Sequence, residues 1–341
     1  MAGPMRYRAL GTLGTAGLLL LTLTLSACGS SGQSGTKTTP SKSSSAAAGG
    51  QACQAVAGDQ LVALEDDKKL QTVDNIIPAV NAKAATQPLL DALNKVSAAL
   101  DTAKLVDLNK QTDIDHKTSP NVAKDFVAAE GLADGLSGGS GKIAVQPANF
   151  SESLTLANIY ADVLDAAGFD ASVKGGASRE IYLKALEKGE VQVVPEYVGT
   201  LTEFINKAEN GADAAPIASA DLDATVAGLT PLGDKVGLKF GDPSQAADQN
   251  TFAVTTAFAD KYGVKTLSDL ASKCSSGLVL GGPPECPDRP FCQPGLETKY
   301  GLSFDSFTSL DAGGPLSKTA LKQGKVALAL VFSSDAALAA S

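Results

Sequence analysis

The sequence predicts an α/β protein large enough for two modest domains or one bilobed one. Past residue 141, short apolar runs alternate with amphipathic helical runs, the pattern of βαβ units and a parallel sheet. The chain has 341 residues, 44% of them hydrophobic, which is enough apolar material for two cores. A Gly/Ser stretch, "ADGLSGGSG" at 133–141, separates the alternating region from an upstream segment that already looks folded.

The first residues read as a leader. Arg6 and Arg8 precede the apolar run "LLLLTLTLSAC" at 18–28, the pattern of a secretory signal. Its end, Leu25-Ser26-Ala27-Cys28, matches the lipobox of bacterial lipoproteins, in which the Cys after the cleavage point is lipidated. The expectation is a signal peptide over 1–27, a lipid on Cys28 and a Gly/Ser/Thr/Lys-rich tether over 28–53. Such a tether cannot bury a core and has an r.m.s. reach of roughly 25 Å. No other run is long enough to span a bilayer. The expected location is therefore extracytoplasmic, anchored to the cell membrane.

After the tether, "QLVALE" and "NIIPAVN" read as strands. Leu89, Leu90, Leu93, Val96, Leu100, Leu105 and Leu108 recur at helical spacing, with Thr86 and Asp101 as caps of two successive helices. "SPNVAKDFVAAEGL" predicts a third helix, with Ser119 as cap and Pro120 at its first position. Beyond the linker, "KIAVQ", "DASVKG" and "VQVVPEY" read as strands, each followed by a helix; two of these helices stop at Gly168 and Gly189. "TFAVTTAFADKYG" opens a second α/β stretch. "LVLGG" and "VALALVF" are further strands, "LSKTALKQG" is a helix, and "SDAALAA" reads as a helix start.

Charge and composition remove several function classes. The formal net charge is −9, against a nucleic-acid partner, which needs basic surface. The chain has one His, His116, in the loop-like "DIDHKTS". No nucleophile–base pair stands out, so neither an enzyme nor a His-based metal site is expected, and no cofactor is implied. With Cys28 lipidated, Cys53, Cys274, Cys286 and Cys292 remain, an even number outside the cytoplasm. Three pairings are possible. Cys286 and Cys292 bracket the short Pro-rich "PDRPF", which favours that bridge and leaves Cys53–Cys274; a zinc site is the alternative, though it would want closely spaced Cys pairs and usually His.

Three motifs give a resemblance. Asn149-Phe150-Ser151-Glu152 fits an N-F-[ST]-E turn, Gly176 to Glu180 fits G-x-x-R-E, and Pro195 to Thr200 fits P-E-Y-x-G-T. With "GGPPECPDRPFCQPGLETKYGLSF" and "VALALVFSSD", these resemble the glycine betaine/choline/carnitine-binding proteins of osmoprotectant ABC importers. The resemblance implies a periplasmic-binding-protein-like fold, two α/β lobes joined by two crossing segments with ligand between them. It also implies a monomer that passes a small-molecule solute to an ABC permease and its ATPase. The order is unusual. "LVALEDDKKLQTVDNIIPAVN" at 61–81 resembles a segment that follows the "VALALVFSSD" strand in the family, so the chain looks circularly permuted, with 133–141 joining the usual ends. The limits implied are 54–72 and 250–341 for lobe two, and 73–249 for lobe one.

The resemblance and the chemistry together name a ligand set. Ser151 and Thr200 lie at strand-to-helix turns, where free N–H groups favour a carboxylate. Asn149 accompanies them, and Arg289 from the other lobe is a candidate bidentate clamp. Quaternary ammonium groups bind aromatic faces. Tyr197 matches one tyrosine of the family's cage, Phe252 and Phe332 stand at two others, and Lys318 at the fourth, with Asn250 lining the pocket. The two Phe lack hydroxyls and Lys318 would repel a cation, so another zwitterion or polar solute is the alternative ligand. A transferase on a similar bilobed fold and a cell-envelope interaction protein are the alternatives of other classes.

Overall fold

The computed structural model describes residues 50–338; the expected signal peptide, Cys28 and most of the tether lie outside them. The described chain begins with β1 (Gln51–Ala52), β2 (Leu61–Leu64) and β3 (Ile76–Asn81). Helices α1 (Gln87–Ala99), α2 (Thr102–Asp113) and α3 (Ser119–Ala129) follow. Then come β4 (Lys142–Val145), α4 (Ser151–Ala167), β5 (Asp170–Val173), α5 (Arg179–Lys188), β6 (Val193–Tyr197), α6 (Val198–Asn210), α7 (Leu222–Val236) and β7 (Leu238–Phe240). The remainder is β8 (Asn250–Thr255), α8 (Thr256–Tyr262), α9 (Leu267–Lys273), β9 (Cys274–Ser276) and β10 (Val279–Gly282). Short helical turns between Cys286 and Tyr300 precede β11 (Ser306–Ser309), α10 (Pro315–Lys322) and β12 (Leu328–Phe332).

These strands form two five-stranded sheets of the same design. One has the order β5-β4-β6-β3-β7, the other β11-β10-β12-β8-β2. In each, three neighbouring strands run parallel. The sheets are mixed rather than wholly parallel as βαβ alternation predicts: β3 runs antiparallel to β6, and β8 antiparallel to β12. The reason is that β3 and β8 do not arrive through a helical crossover. The chain enters each of them from the other sheet, through residues 65–75 and 241–249.

These two crossing segments run side by side. Ile76 N donates to Ala246 O at 3.0 Å and Asp248 N to Asp74 O at 3.0 Å. The Gln249 side chain adds a bond from Nε2 to Thr72 O at 2.6 Å.

Helices α1–α3 do not form a domain of their own. Leu89, Leu93, Leu105, Val122 and Phe126 pack in one core with Ile143, Val145, Leu156 and Tyr160, from beyond the linker. The α4 helix sits at the centre of that core, and most of its residues are buried. The linker is fitted to this lobe. Gly139 N donates to Ala167 O at 2.8 Å, and a Cβ at Gly139 would lie 2.5 Å from the Phe169 ring.

Local signals act largely as their chemistry dictates. Asp101 accepts a capping bond from Lys104 N, and Gly168 and Gly189 end their helices in the left-handed conformation. Thr86 caps α1 by position without a side-chain bond, and the α3 cap is Thr118, one residue before Ser119. Residues 333–338 form turns rather than a helix. Two disulfides join Cys53 to Cys274 and Cys286 to Cys292. The first fastens the start of the described chain, where β1 pairs with β9, to the second sheet's lobe.

Candidate functional site

The three sequence motifs meet at one edge of a sheet. N-F-S-E follows β4, G-x-x-R-E follows β5, and P-E-Y-x-G-T ends β6. All lie at or just beyond the carboxyl ends of parallel strands, where open α/β sheets bind ligands.

Their side chains interlock. Arg179 Nη2 lies 2.7 Å from Glu196 Oε2 and its Nε lies 3.0 Å from Oε1, a buried bidentate pair. Tyr182 donates its hydroxyl to Glu196 Oε1 at 2.7 Å. The Tyr197 hydroxyl donates to Glu152 Oε1 at 2.6 Å. Glu152 Oε2 accepts from Asn109 Nδ2 and Ser334 Oγ, both at 2.6 Å. Gly199 lets the start of α6 abut the first crossing segment: a Cβ there would lie 2.1 Å from Val73 O. The neighbouring Asp74 caps that helix, its Oδ1 accepting from Gly199 N at 2.9 Å and Thr200 N at 3.0 Å. On the second crossing segment, Asp248 Oδ1 accepts from Ser334 N at 2.9 Å.

This places three carboxyl groups away from water. Burial pushes Asp74 up to about 7, against the hydrogen bonds from Thr200 and the charge of Arg179. Burial also raises Glu152, opposed by its bonds from Ser334 and Tyr197. Asp248 is raised well above the carboxylate range, by burial first and by the Glu152 charge second.

Beside this network lies a cavity of about 480 Å³ between the two sheets. Asn149, Phe150, Tyr197, Thr200 and Asp74 line it from one side, and Asn250, Arg289, Phe291 and Phe332 from the other; Asp248, on the second crossing segment, also lines it. Phe150 joins the aromatic faces, with its ring centroid 5.0 Å from Phe332 and 6.0 Å from Tyr197. Arg289 crosses between the lobes. Its Nη2 bonds Glu180 Oε1 at 3.1 Å, and Glu285 on its own side lies 3.4 Å away. Burial works against the Glu180 charge, but Arg289 holds that carboxyl below its usual range.

Six of the nine ligand residues expected from the sequence line this cavity: Asn149, Tyr197, Thr200, Asn250, Arg289 and Phe332. Ser151, Phe252 and Lys318 do not. Ser151 is the first residue of α4 and is not among the residues that line the cavity. Phe252 lies on the same face of β8 as Asn250 but two residues deeper, 2% exposed and packed in the second lobe's core with Leu296 and Leu330. Lys318 pairs with Asp335 at 2.7 Å and Asp113 at 3.8 Å, outside the cavity. Two expected roles also change. The N–H groups at the start of α6 are taken by Asp74, and Arg289 is engaged by two glutamates. Sequence reasoning passed over Phe150, Phe291, Asp74 and Asp248. Phe150 stands inside the first motif and Asp74 inside the 61–81 segment that carries the resemblance, so both were available to it; Asp248 sits in a stretch with no pattern. Among the described residues no cluster is placed to hold a metal ion, and no helix is long and apolar enough to cross a membrane.

Comparison with known proteins places these features. Residues 53–129 and 141–341 match the family described as OpuAC, the substrate binding domain of ABC-type glycine betaine transport system. The chain is 28% identical over 183 residues to a glycine-betaine-binding protein of Pseudomonas aeruginosa, a match over 51% of this chain and 56% of that one. The match thus spans little more than half the length of that curated relative. Among solved structures, a glycine betaine/carnitine/choline ABC transporter is similar at 23% identity over 58% of this chain and 71% of that one, with a TM-score of 0.37. NikA from Brucella suis is similar at 14% identity over 54% and 47%, with a TM-score of 0.28.

Proposed function

The chain belongs to the family of substrate binding domains of ABC-type glycine betaine transport systems, and on that premise we propose that it captures a small quaternary ammonium osmolyte for an ABC importer. Glycine betaine, choline and carnitine are the candidates. The ligand lies in the cavity between the sheets, and closure of the lobes on it presents the loaded form to a permease and its ATPase. The observation that carries this is the aromatic wall of Phe150, Tyr197 and Phe332, drawn from both lobes onto one cavity. Asn149, Thr200, Asn250, Arg289 and Phe291 complete the proposed contacts. The protein works outside the cytoplasm, held by a lipid on Cys28 after removal of 1–27.

The same reading takes 73–249 as lobe one, and 54–72 with 250–341 as lobe two. It takes 133–141 as the join of a circular permutation. The family match falls in two pieces on either side of that linker, which supports the join.

A thermal-shift screen of the full chain against betaine, choline, carnitine and amino acids tests the ligand class. A trimethylammonium compound is expected to raise Tm by mass action, and Phe332→Ala to abolish the rise. A shift with another solute and with no trimethylammonium compound would overturn the assignment.

A further inference from the structure

Resting on the osmolyte reading above and extending it, we propose that the cleft has an outer compartment along α6 that takes a neutral apolar substituent on the ligand. The ligand class then includes quaternary ammonium compounds that carry a short acyl chain, of which choline esters are the type.

Choline alone is small for this cavity. Even at about 30 Å³ for each of its roughly seven non-hydrogen atoms, the liquid volume of a whole water, choline fills less than half of a space of about 480 Å³.

The cavity is also elongated. Thr200, Glu203, Phe204, Lys207 and Ala208 all line it, and their spacing is one face of α6. The space therefore follows that helix for about 12 Å past Thr200, leading away from Tyr197 at the helix start. Ala212 lines it too and, like Ala208, is exposed, so the far end opens to solvent. The opposite wall is fixed in place. Pro290 and Phe291 lie in the loop closed by the Cys286–Cys292 disulfide. Phe291 O accepts from Gln71 Nε2 at 3.0 Å and from Asn250 Nδ2 at 3.3 Å, which ties this wall to the first crossing segment and to β8.

The outer walls offer mainly carbon, from Phe204, Ala208 and Ala212 on one side and Pro290 and Phe291 on the other. The charged groups there do not ask for a charged substituent. Glu203 Oε1 is turned to Ile217 N and Ala218 N. Arg289 is held by Glu180 and Glu285. Lys207 and Asp288, which have no ion-pair partner among the described residues, supply one charge of each sign. A lysine lays its methylene stem along apolar surface while its ammonium stays in water. A neutral chain placed here removes carbon surface from water on both sides, and that is favourable in proportion to the area covered.

The test is calorimetry on the full chain with choline, acetylcholine, butyrylcholine and hexanoylcholine, which share one headgroup. With bonds of about 1.5 Å, an extended hexanoyl ester is long enough to run the length of the compartment. Full burial of one CH₂ is worth about fourfold in affinity. Partial burial at the open end is expected to give at least about twofold for each, so hexanoylcholine is expected to bind at least tenfold tighter than acetylcholine. Choline is expected to displace it competitively. Ala208→Trp, at an exposed helical position, fills the compartment and is expected to remove most of the preference for the longer ester. Affinity that does not rise with chain length, a rise that choline does not compete away, or a preference that Ala208→Trp leaves intact would each overturn the proposal and leave the osmolyte reading standing. Binding of neither choline nor any ester would overturn both. The ester series uses the unmodified protein and so does not depend on how the variant folds.

Discussion

Arg179 and Glu196 come from two different sequence motifs and meet as a buried bidentate pair, Nη2 to Oε2 at 2.7 Å. Tyr197 and Glu152 repeat the relation between the third motif and the first, at 2.6 Å. Residues that mark the family in the sequence therefore hold the turns around the cavity in register with one another. Removing one partner leaves the other charged and dry. Arg179→Ala is expected to destabilise by about 3–5 kcal/mol, read by urea unfolding. Ser151→Ala, at a side chain with no hydrogen bond among the described residues, is expected to stay within about 0.5 kcal/mol.

Stability is expected to fall as pH rises toward neutrality. Asp74 holds its proton up to about 7 when folded, against 3.8 as the ordinary value. The folded state thus binds more protons than the unfolded state between those values. Stability contributed by the protonated form is present below about 4, declines through about 7 and is flat above. Unfolding of the ligand-free chain at pH 5.5 and pH 8 measures this. Asp74→Asn keeps an oxygen acceptor for Gly199 and Thr200 and reduces the slope. Glu152 and Asp248 shift the same way, so part of the slope remains.

The two disulfides close loops of very different length, with partners 221 and 6 residues apart. Chain-entropy reasoning gives about 5 kcal/mol for Cys53–Cys274 and about 2 kcal/mol for Cys286–Cys292. Paired Cys→Ala variants, compared by denaturant midpoint, are expected to rank in that order.

The Arg289–Glu180 pair joins lining residues of the two lobes and is partly exposed. Glu180→Gln is expected to increase the radius of gyration of the ligand-free protein in solution scattering, by admitting more open conformers. Such pairs contribute about 1 kcal/mol or less, so ligand affinity is expected to change by less than about fivefold.

Much of the framework was legible in the sequence because it rests on local signals. The strand at Leu61–Leu64, the cap at Asp101 and the stop at Gly168 each follow from a few neighbouring residues. Mixed strand direction was not legible, since it depends on where β3 and β8 enter their sheets. In the cavity, Tyr197 and Phe332 were found through motif and resemblance. Phe252 shares a face with Asn250, and only depth along β8 separates a lining position from a core one. Lys318 is held by Asp335, in the turn after β12, and by Asp113, from a helix far away in sequence. The burial of Asp74 and Asp248 was not legible for the same reason: their environment is assembled from α6 and the chain after β12.

The bonds tying Thr72, Asp74 and Ile76 to Gln249, Asp248 and Ala246 make the two crossing segments a single laminated strip rather than two independent cords. A strip of that kind bends easily about a line across its width and resists shear and torsion. Lobe closure of the kind proposed above would then be a swing about this strip, starting from Phe150 and Phe332 rings that face each other with centroids 5.0 Å apart.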